Sequence, residues 1–468
     1  MLLFIRVQRR RPSEVPSRPD CVAGRSPAVW CRATLTACGN GRALVNIECR
    51  TSARSNRTAP MDANQNETLT NPDPSKPLAG IRVLDLSAVI SGPMACALLA
   101  DQGADVIKVE PLAGDQSRRI GPSKGDLSAL AISVNRGKRS IALDLKRKDH
   151  LDVVHDLAQR ADVLVQNFRP GAMERLGLGA EALCKANPRL VYVSISGFGA
   201  AGPYAGGRVY DAVIQAVSGM AASHPNQTTG APTLLATTIC DKLSALTAAQ
   251  AICAALYARE RSGRGTTIDL SMLDAALAFQ WPDAMNNLTF VTDPPAKFPE
   301  FGISQRPYKT ANGYVAAMTP QPDEFTNFCK GLGRPDLATD PRFATANARR
   351  HNMTELVPLI ESLAGTHDTD ELVAALREAG VPIGRVNDRH EVLTDPQVLH
   401  SGSVVEIENG DVGIVRIAKA AAHFGGQPAP MPTAAPRIGA HGREVLQGLG
   451  YSESRIDQLL APLLTTSA

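Results

Sequence analysis

From Leu78 onward the apolar positions switch repeatedly between two periods. "IRVLDLS" (81–87) is a run of branched apolar residues with the length of one strand, "SGP" breaks it, and "MACALLADQGA" (94–104) takes up helical spacing. "DVIKVE" (105–110) is again a strand, so the three segments form a β-α-β unit, the seed of a parallel sheet. The alternation continues with "SIALDLK" (140–146), a helix over 149–160, "DVLVQNF" (162–168), a helix over 179–186 and "LVYVSISGF" (190–198). Helices over 211–222 and 241–260 follow, then "GTTIDLS" (265–271). This pattern predicts a doubly wound, Rossmann-like α/β domain, whose ligands bind outside the carboxyl ends of the strands.

The pattern changes after Trp281. "WPDAMNNLTFVTDPPAKFPEF" reads as a Pro-rich linker, and "YKTANGYVAAM" (308–318) as a hairpin in which Asn312-Gly313 supplies a type I′ turn. Helices over 322–332, 353–364 and 369–379 then define a smaller α+β domain. The expected division is a large domain over 77–280, linker and small domain over 281–395, and a C-terminal part over 396–468 that returns to the large domain. No internal repeat is visible.

Residues 1–76 do not belong to this scheme. The first sixty hold eleven Arg, no Lys and three acids, a net +8. The whole chain of 468 residues carries only +3, which leaves −5 for the remainder. An acidic body is a poor match for nucleic acid, whose binding rests on phosphate neutralisation. The basic segment reads as an organellar transit peptide or, the reading we favour, as sequence ahead of a start at Met61, followed by a disordered lead-in over 62–76. No apolar run approaches the roughly 18 residues of a membrane span. The nine cysteines form no C-x-x-C and no ligand spacing, so neither structural zinc nor disulfides are expected and a cytoplasmic setting is the default.

The chemistry starts with absences. The first β-α turn, "SAVISGPMA", is not G-x-G-x-x-G, which argues against a nicotinamide cofactor, and G-x-x-x-x-G-K-[ST], H-E-x-x-H and G-x-S-x-G do not occur, which argues against a P-loop, a zinc protease site and a hydrolase elbow. Three segments after predicted strands are more informative: "NRGKRSIALDLKRK" (135–148), "QNFRPGAMERLGL" (166–178) and the Gly-rich "SGFGAAGPYAGGRVYD" (196–211). Together with the first β-α turn, "SAVISGPMA", they would bring cations, backbone N–H groups and an aromatic ring to one sheet edge, a cradle for a polyanion. In "TTICDKLSALTAAQAICAALYARE" (237–260), Asp241 sits where an N-cap is expected.

In order and spacing, "GIRVLDLS…SGP…LADQGADVIKVEP…GD", "NRGKRSIALDLK", "ADVLVQNFRPGAMERLGL", "NPRLVYVSISGFGAAGPY", "YDAVIQAVSG" and "SGRGTTIDLSMLDA" resemble the class III CoA-transferases. "GVPIGRVN" (380–387) and "DPQV" extend the resemblance towards the C-terminus. It implies coenzyme A, as substrate and not as a resident cofactor, lying along the strand ends. The implied contacts are Ile90 and Ser91; Leu143, Asp144, Leu145 and Lys146; Asn167, Phe168, Arg169 and Arg175; and Gly207, Arg208, Val209 and Tyr210. It implies Asp241 as nucleophile, attacking an acyl-CoA to give first a mixed anhydride and then an aspartyl-CoA thioester, with a free carboxylic acid as acceptor. It also implies an interlocked homodimer, and neither nucleic-acid nor membrane partners. Formyl-CoA transferases carry Gln at Ile90, Arg at Pro111 and a Gly-rich lid at 301–310, so a more apolar acceptor pocket is expected. The related α-methylacyl-CoA racemases carry His at Tyr210. Racemisation is therefore the weaker alternative, beside a non-catalytic CoA-binding protein.

Overall fold

The computed structural model describes residues 29–38, 42–51, 76–226, 229–298, 306–426 and 428–464. The chain divides into two units, Met1–Asn66 and Glu67–Ala468. In the first, β1 (Val29–Cys38) and β2 (Arg42–Thr51) pair as an antiparallel hairpin, for which the sequence reading assigned no strands. The rest of the N-terminal extension, residues 1–28, 39–41 and 52–75, lies outside the described residues, as does the lid segment over 301–305.

Six strands carry the second unit. They are β3 (Arg82–Asp85), β4 (Asp105–Glu110), then, after a short hairpin of β5 (Ser123–Lys124) and β6 (Leu127–Ser128), β7 (Lys138–Ala142), β8 (Val163–Gln166), β9 (Val191–Ser196) and β10 (Thr267–Ser271). They form a parallel sheet in the order β10-β9-β8-β3-β4-β7. The chain runs outward from β3 to β4 and β7, jumps back to β8 on the other side of β3, and runs outward again. That reversal leaves a crevice between the carboxyl ends of β3 and β8. The strands are buried on both faces, so they read as near-continuous branched runs; Val83, Leu84, Val163, Leu164, Val165, Val191 and Val193 are all at most 2% exposed.

Helices α1 (Ser91–Asp101) and α8 (Ile239–Ser262) cover one face, Cys96 and Leu99 packing with Ala245, Ala248 and Ile252. By length and composition α8 could cross a membrane, contrary to the sequence reading, but here it lies in the core. It stops at Gly263, whose φ of 73° suits the left-handed C-cap, and Arg259 in its last turn bonds Asp162 at 2.8 Å. On the other face α3 (Lys148–Arg160) packs with Val445, Leu446, Ile456 and Leu459 from the end of the chain.

The smaller part holds a sheet of β11 (Tyr308–Lys309), β12 (Tyr314–Ala317) and β13 (Ile383–Arg385), with helices Pro322–Gly331, Met353–Ala364 and Thr369–Glu378 around Phe325, Phe328 and Leu376. Its turn is not type I′. The loop spans four residues, closed by Thr310 N–H donating to Gly313 O at 3.0 Å, and neither Asn312 nor Gly313 has positive φ. Asn312 instead accepts from Thr369 N–H at 2.9 Å, and a Cβ on Gly313 would stand 2.8 Å from Thr369 Oγ1. Close approach, not left-handed backbone, explains that glycine.

Two other expectations shift. The strand expected at 140–146 ends at Ala142, which leaves Leu143–Lys146 in the following loop. The helix expected at 211–222 is two, α6 (Asp211–Val217) and α7 (Met220–Ser223), separated at Gly219 with φ 83°.

Candidate active site

The loops after β3 and β8 are stapled across the crevice. Asn167 Oδ1 accepts from Ala88 N–H at 2.7 Å and its Nδ2 donates to Ala88 O at 2.8 Å. Val89 follows with φ 67°, a left-handed conformation that a β-branched residue rarely adopts. Among the described residues no acceptor engages the N–H groups of Ile90, Ser91 or Gly92, where α1 begins. A cluster of free amides at a helix N-terminus favours negative charge.

The Gly-rich loop forms the facing wall. Gly197 is glycine because a Cβ there would stand 2.2 Å from Val209 Cγ1, so Val209 and its neighbours can fold back against the end of β9. Phe198 and Tyr204 rings contact at 5.3 Å between centroids. Arg169 and Arg208 make no ion pair with any described residue, and both line the resulting cavity of about 290 Å³.

Asp241 reaches the same cavity from α8. It is not the N-cap: Thr238 holds that position without a side-chain bond, and Asp241 is the third helical residue. The buried Asp211 carboxylate acts as a cap from outside the helix, accepting from Asp241 N–H at 3.0 Å. Asp211 also accepts from Gln215 Nε2 at 2.6 Å, and Gln215 Oε1 accepts from Leu235 N–H at 2.8 Å, which pins the approach to the helix. No described group hydrogen-bonds or ion-pairs with the Asp241 side-chain oxygens. Burial, then the neighbouring Asp211 charge, push its carboxyl up to about 7.

Of the residues expected at the site, Ile90, Ser91, Asn167, Phe168, Arg169, Gly207, Arg208, Val209, Tyr210 and Asp241 line one cavity. Leu143, Asp144, Leu145, Lys146 and Arg175 do not. Leu143 is a core residue, 1% exposed. The Asp144 N–H donates to buried His150 Nδ1 at 2.7 Å, while the Lys146 side chain is exposed two strands from the crevice. Gln116 and Met272 also line the cavity and were missed; Gln116 has no pattern to mark it, and Met272 lies in "SGRGTTIDLSMLDA", a segment matched to the family without a site role for any of its residues.

The cationic strand "NRGKRSIALDLK" was expected to face the ligand or solvent. Instead Lys138 is buried, donating to Asp85 Oδ2 at 2.7 Å and to Pro93 O at 2.8 Å. Lys108, fully buried, bonds Ser87 O at 2.7 Å and pairs with Asp115 at 3.2 Å, and Arg118 pairs with Glu110 at 2.5 Å. Three cations thus match three carboxylates inside the domain. Burial pushes the Asp85 carboxyl up, but Lys108 and Lys138 overcome it and hold Asp85 at about 2.

Among the described residues no group of three or more His, Cys, Asp or Glu is placed to hold a metal ion. What the cavity offers is an unpartnered carboxylate, free amides and unpaired guanidinium groups, the last two suited to an anionic ligand.

Comparison with known proteins agrees. Residues 78–442 match CoA-transferase family III. The mouse succinyl-CoA:glutarate CoA-transferase is 34% identical over 83% of this chain and 90% of its own. The formyl-CoA:oxalate CoA-transferase of Escherichia coli is 34% identical over 82% and 98%. A CAIB/BAIF family protein from Brucella suis superposes with a TM-score of 0.70 at 31% identity, covering 80% of this chain and 100% of that one. The chain belongs to CoA-transferase family III, and it is an enzyme of that class.

Proposed function

We propose that the enzyme moves CoA from an acyl-CoA to a free carboxylic acid by covalent catalysis at Asp241. One side-chain oxygen of Asp241 attacks the thioester carbonyl; the C–S bond breaks, CoA leaves as thiolate, and a mixed anhydride remains. The thiolate then attacks the aspartyl carbon, the donor acid departs as carboxylate, and Asp241 carries CoA as a thioester. The acceptor carboxylate attacks that thioester, regenerating an anhydride and thiolate. The thiolate finally takes the acceptor's acyl group, restoring the Asp241 carboxylate. No net proton moves.

The observation that carries this reading is the open Asp241 carboxylate on the wall of the strand-end cavity, raised to about 7 by burial and Asp211. A more basic carboxylate is a stronger nucleophile. The free amides of Ile90 and Ser91 supply donors for anionic oxygens, and Arg169 and Arg208 for phosphates. Ile90 and Pro111, where formyl-CoA transferases carry Gln and Arg, support an acceptor less polar than oxalate. Support for a homodimer comes from apolar side chains exposed along α8, α9 (Met272–Gln280) and the linker: Leu246, Tyr257, Phe279, Trp281, Leu288 and Phe290. We place the enzyme in the cytoplasm.

Incubation with acyl-CoA and no acceptor is expected to trap a mass adduct on the peptide containing Asp241, removable by hydroxylamine. A transferring enzyme that never acylates this peptide, across a screen of acyl-CoA donors, would refute the covalent route.

A further inference from the structure

The cavity wall at Ala88–Ser91 depends on a residue outside it. Val89 is held at φ 67°, and its N–H points at both side-chain oxygens of Asp115, at 3.1 and 3.2 Å. Asp115 is 3% exposed and occupied on every side: Ser117 N–H donates to it at 2.6 Å and Lys108 pairs with it at 3.2 Å. Its own N–H donates to Glu110 at 3.1 Å. Gly114 lets it sit there, since φ is 75° and a Cβ would stand 2.7 Å from Ile438 Cδ1 and 2.8 Å from Arg118 Cδ. Lys108 also grips Ser87 O at 2.7 Å, so the same ionic cluster holds both sides of the bend.

Each of the three amides before the free ones has an acceptor. Ser87 N–H goes to Asp85 at 2.9 Å, Ala88 N–H to Asn167, and Val89 N–H to Asp115. Directly after the left-handed turn at Val89, Ile90, Ser91 and Gly92 present their N–H groups with no described acceptor. We infer that Asp115 is a positioning residue: it holds Val89 in the left-handed conformation and so aims the amides of Ile90 and Ser91 into the cavity where CoA and the anhydride react. This rests on the transfer reaction proposed above. Burial alone would push the Asp115 carboxyl up, yet Lys108 and the amides of Ser117 and Val89 hold it below the usual range, so it remains a full acceptor.

The test is a double-mutant cycle, because glycine adopts positive φ without help. Asp115→Ala is expected to lower kcat/KM for acyl-CoA by about a hundredfold, the scale of a misplacement of about 1 Å. In the Val89→Gly background the same substitution is expected to cost less than about tenfold, because the turn no longer needs its acceptor. An equal loss in both backgrounds, or no loss in either, overturns the inference. If Asp115→Ala does not fold, Asp115→Asn goes through the same cycle, with a smaller loss and the same rescue expected. If the parent moves no CoA between acids, the transfer reading fails. The positioning role is then judged by the calorimetric Kd for CoA in the four proteins, where the absence of rescue by Val89→Gly overturns it.

Discussion

Replacing Asp241 by Asn separates a catalytic carboxylate from a capping one, and its effect on stability follows from the same charge. The Asp241 carboxyl stands at about 7 in the folded chain, against an ordinary aspartate value of 3.8 when the chain is unfolded. Below both values the group is protonated in either state and contributes nothing. As pH rises from about 4 to 7 the unfolded chain releases the proton and the folded chain keeps it, so stability falls; above 7 the full penalty applies. Three units at about 1.4 kcal/mol each set a ceiling of about 4 kcal/mol, and the carboxylate's contact with cavity water reduces this to about 2 kcal/mol. Asn carries no charge and leaves the Asp241 N–H to Asp211 bond in place. Near 60 °C a chain of this length loses about 1 kcal/mol of stability per degree, so Asp241→Asn is expected to melt about 2 °C above the parent at pH 8. At pH 3, below both values, the two should coincide. Transfer activity should be abolished at every pH. Differential scanning calorimetry across pH, paired with a CoA-exchange assay, reads both effects. An active Asp241→Asn enzyme, free of deamidation, or a Tm difference independent of pH, would refute the reasoning.

The same titration predicts that kcat/KM for acyl-CoA rises with pH to a plateau, with a midpoint near 7 and a limiting slope of one; a flat profile from pH 5 to 8 counts against it. Arg208→Ala should weaken CoA binding more than Arg175→Ala, because only Arg208 lines the cavity, and the difference should shrink at high salt in a calorimetric titration. Gly197→Ala, which drives a Cβ to 2.2 Å from Val209, should destabilise by about 1–3 kcal/mol in urea unfolding and reduce activity by displacing the Gly-rich loop. Lys138→Met should destabilise by less than the about 3–5 kcal/mol of a fully stranded buried charge, because Lys108 still pairs with Asp85 at 3.7 Å, and by less again when Asp85 is also made apolar.

The alternation of strands and helices was legible because a parallel sheet buried on both faces writes its strands as branched apolar runs. The cavity was legible where several motifs converge on one strand end, as at Asn167–Arg169 and Gly207–Tyr210. What escaped depends on distant partners. Lys138 looks like a surface cation because a one-dimensional pattern does not show Asp85 waiting in β3. Asp241 looks like a cap because the true acceptor for its N–H, Asp211, lies in another helix. Asn312-Gly313 carries a turn signature whose reason is Thr369. Asp115 and Gln116 open a single short 3-10 turn with no period to mark it, and Asp115 was visible only in the Gly-Asp pair of the family resemblance. Leu143–Lys146 were carried over from the family resemblance, and the sheet puts them two strands from the crevice.

Pairing between β3 and β8 joins Val83 to Val163, and Leu84 to Leu164, across an intervening stretch that folds β4 and β7 first along the chain. During synthesis the edge of β3 that will receive β8 therefore emerges long before its partner. Until β8 arrives, the apolar backbone edge of Val83–Asp85 is a template for wrong pairing. The staple between Ala88 and Asn167 also cannot form, so an N-terminal fragment that ends before β8 lacks this wall of the cavity. Such long-range parallel closure is slow relative to local structure. The half-made sheet is the stage at which this chain is most exposed to aggregation. Substitutions that weaken β8, however far from Asp241, are thus expected to lower the yield of folded enzyme before they alter its turnover.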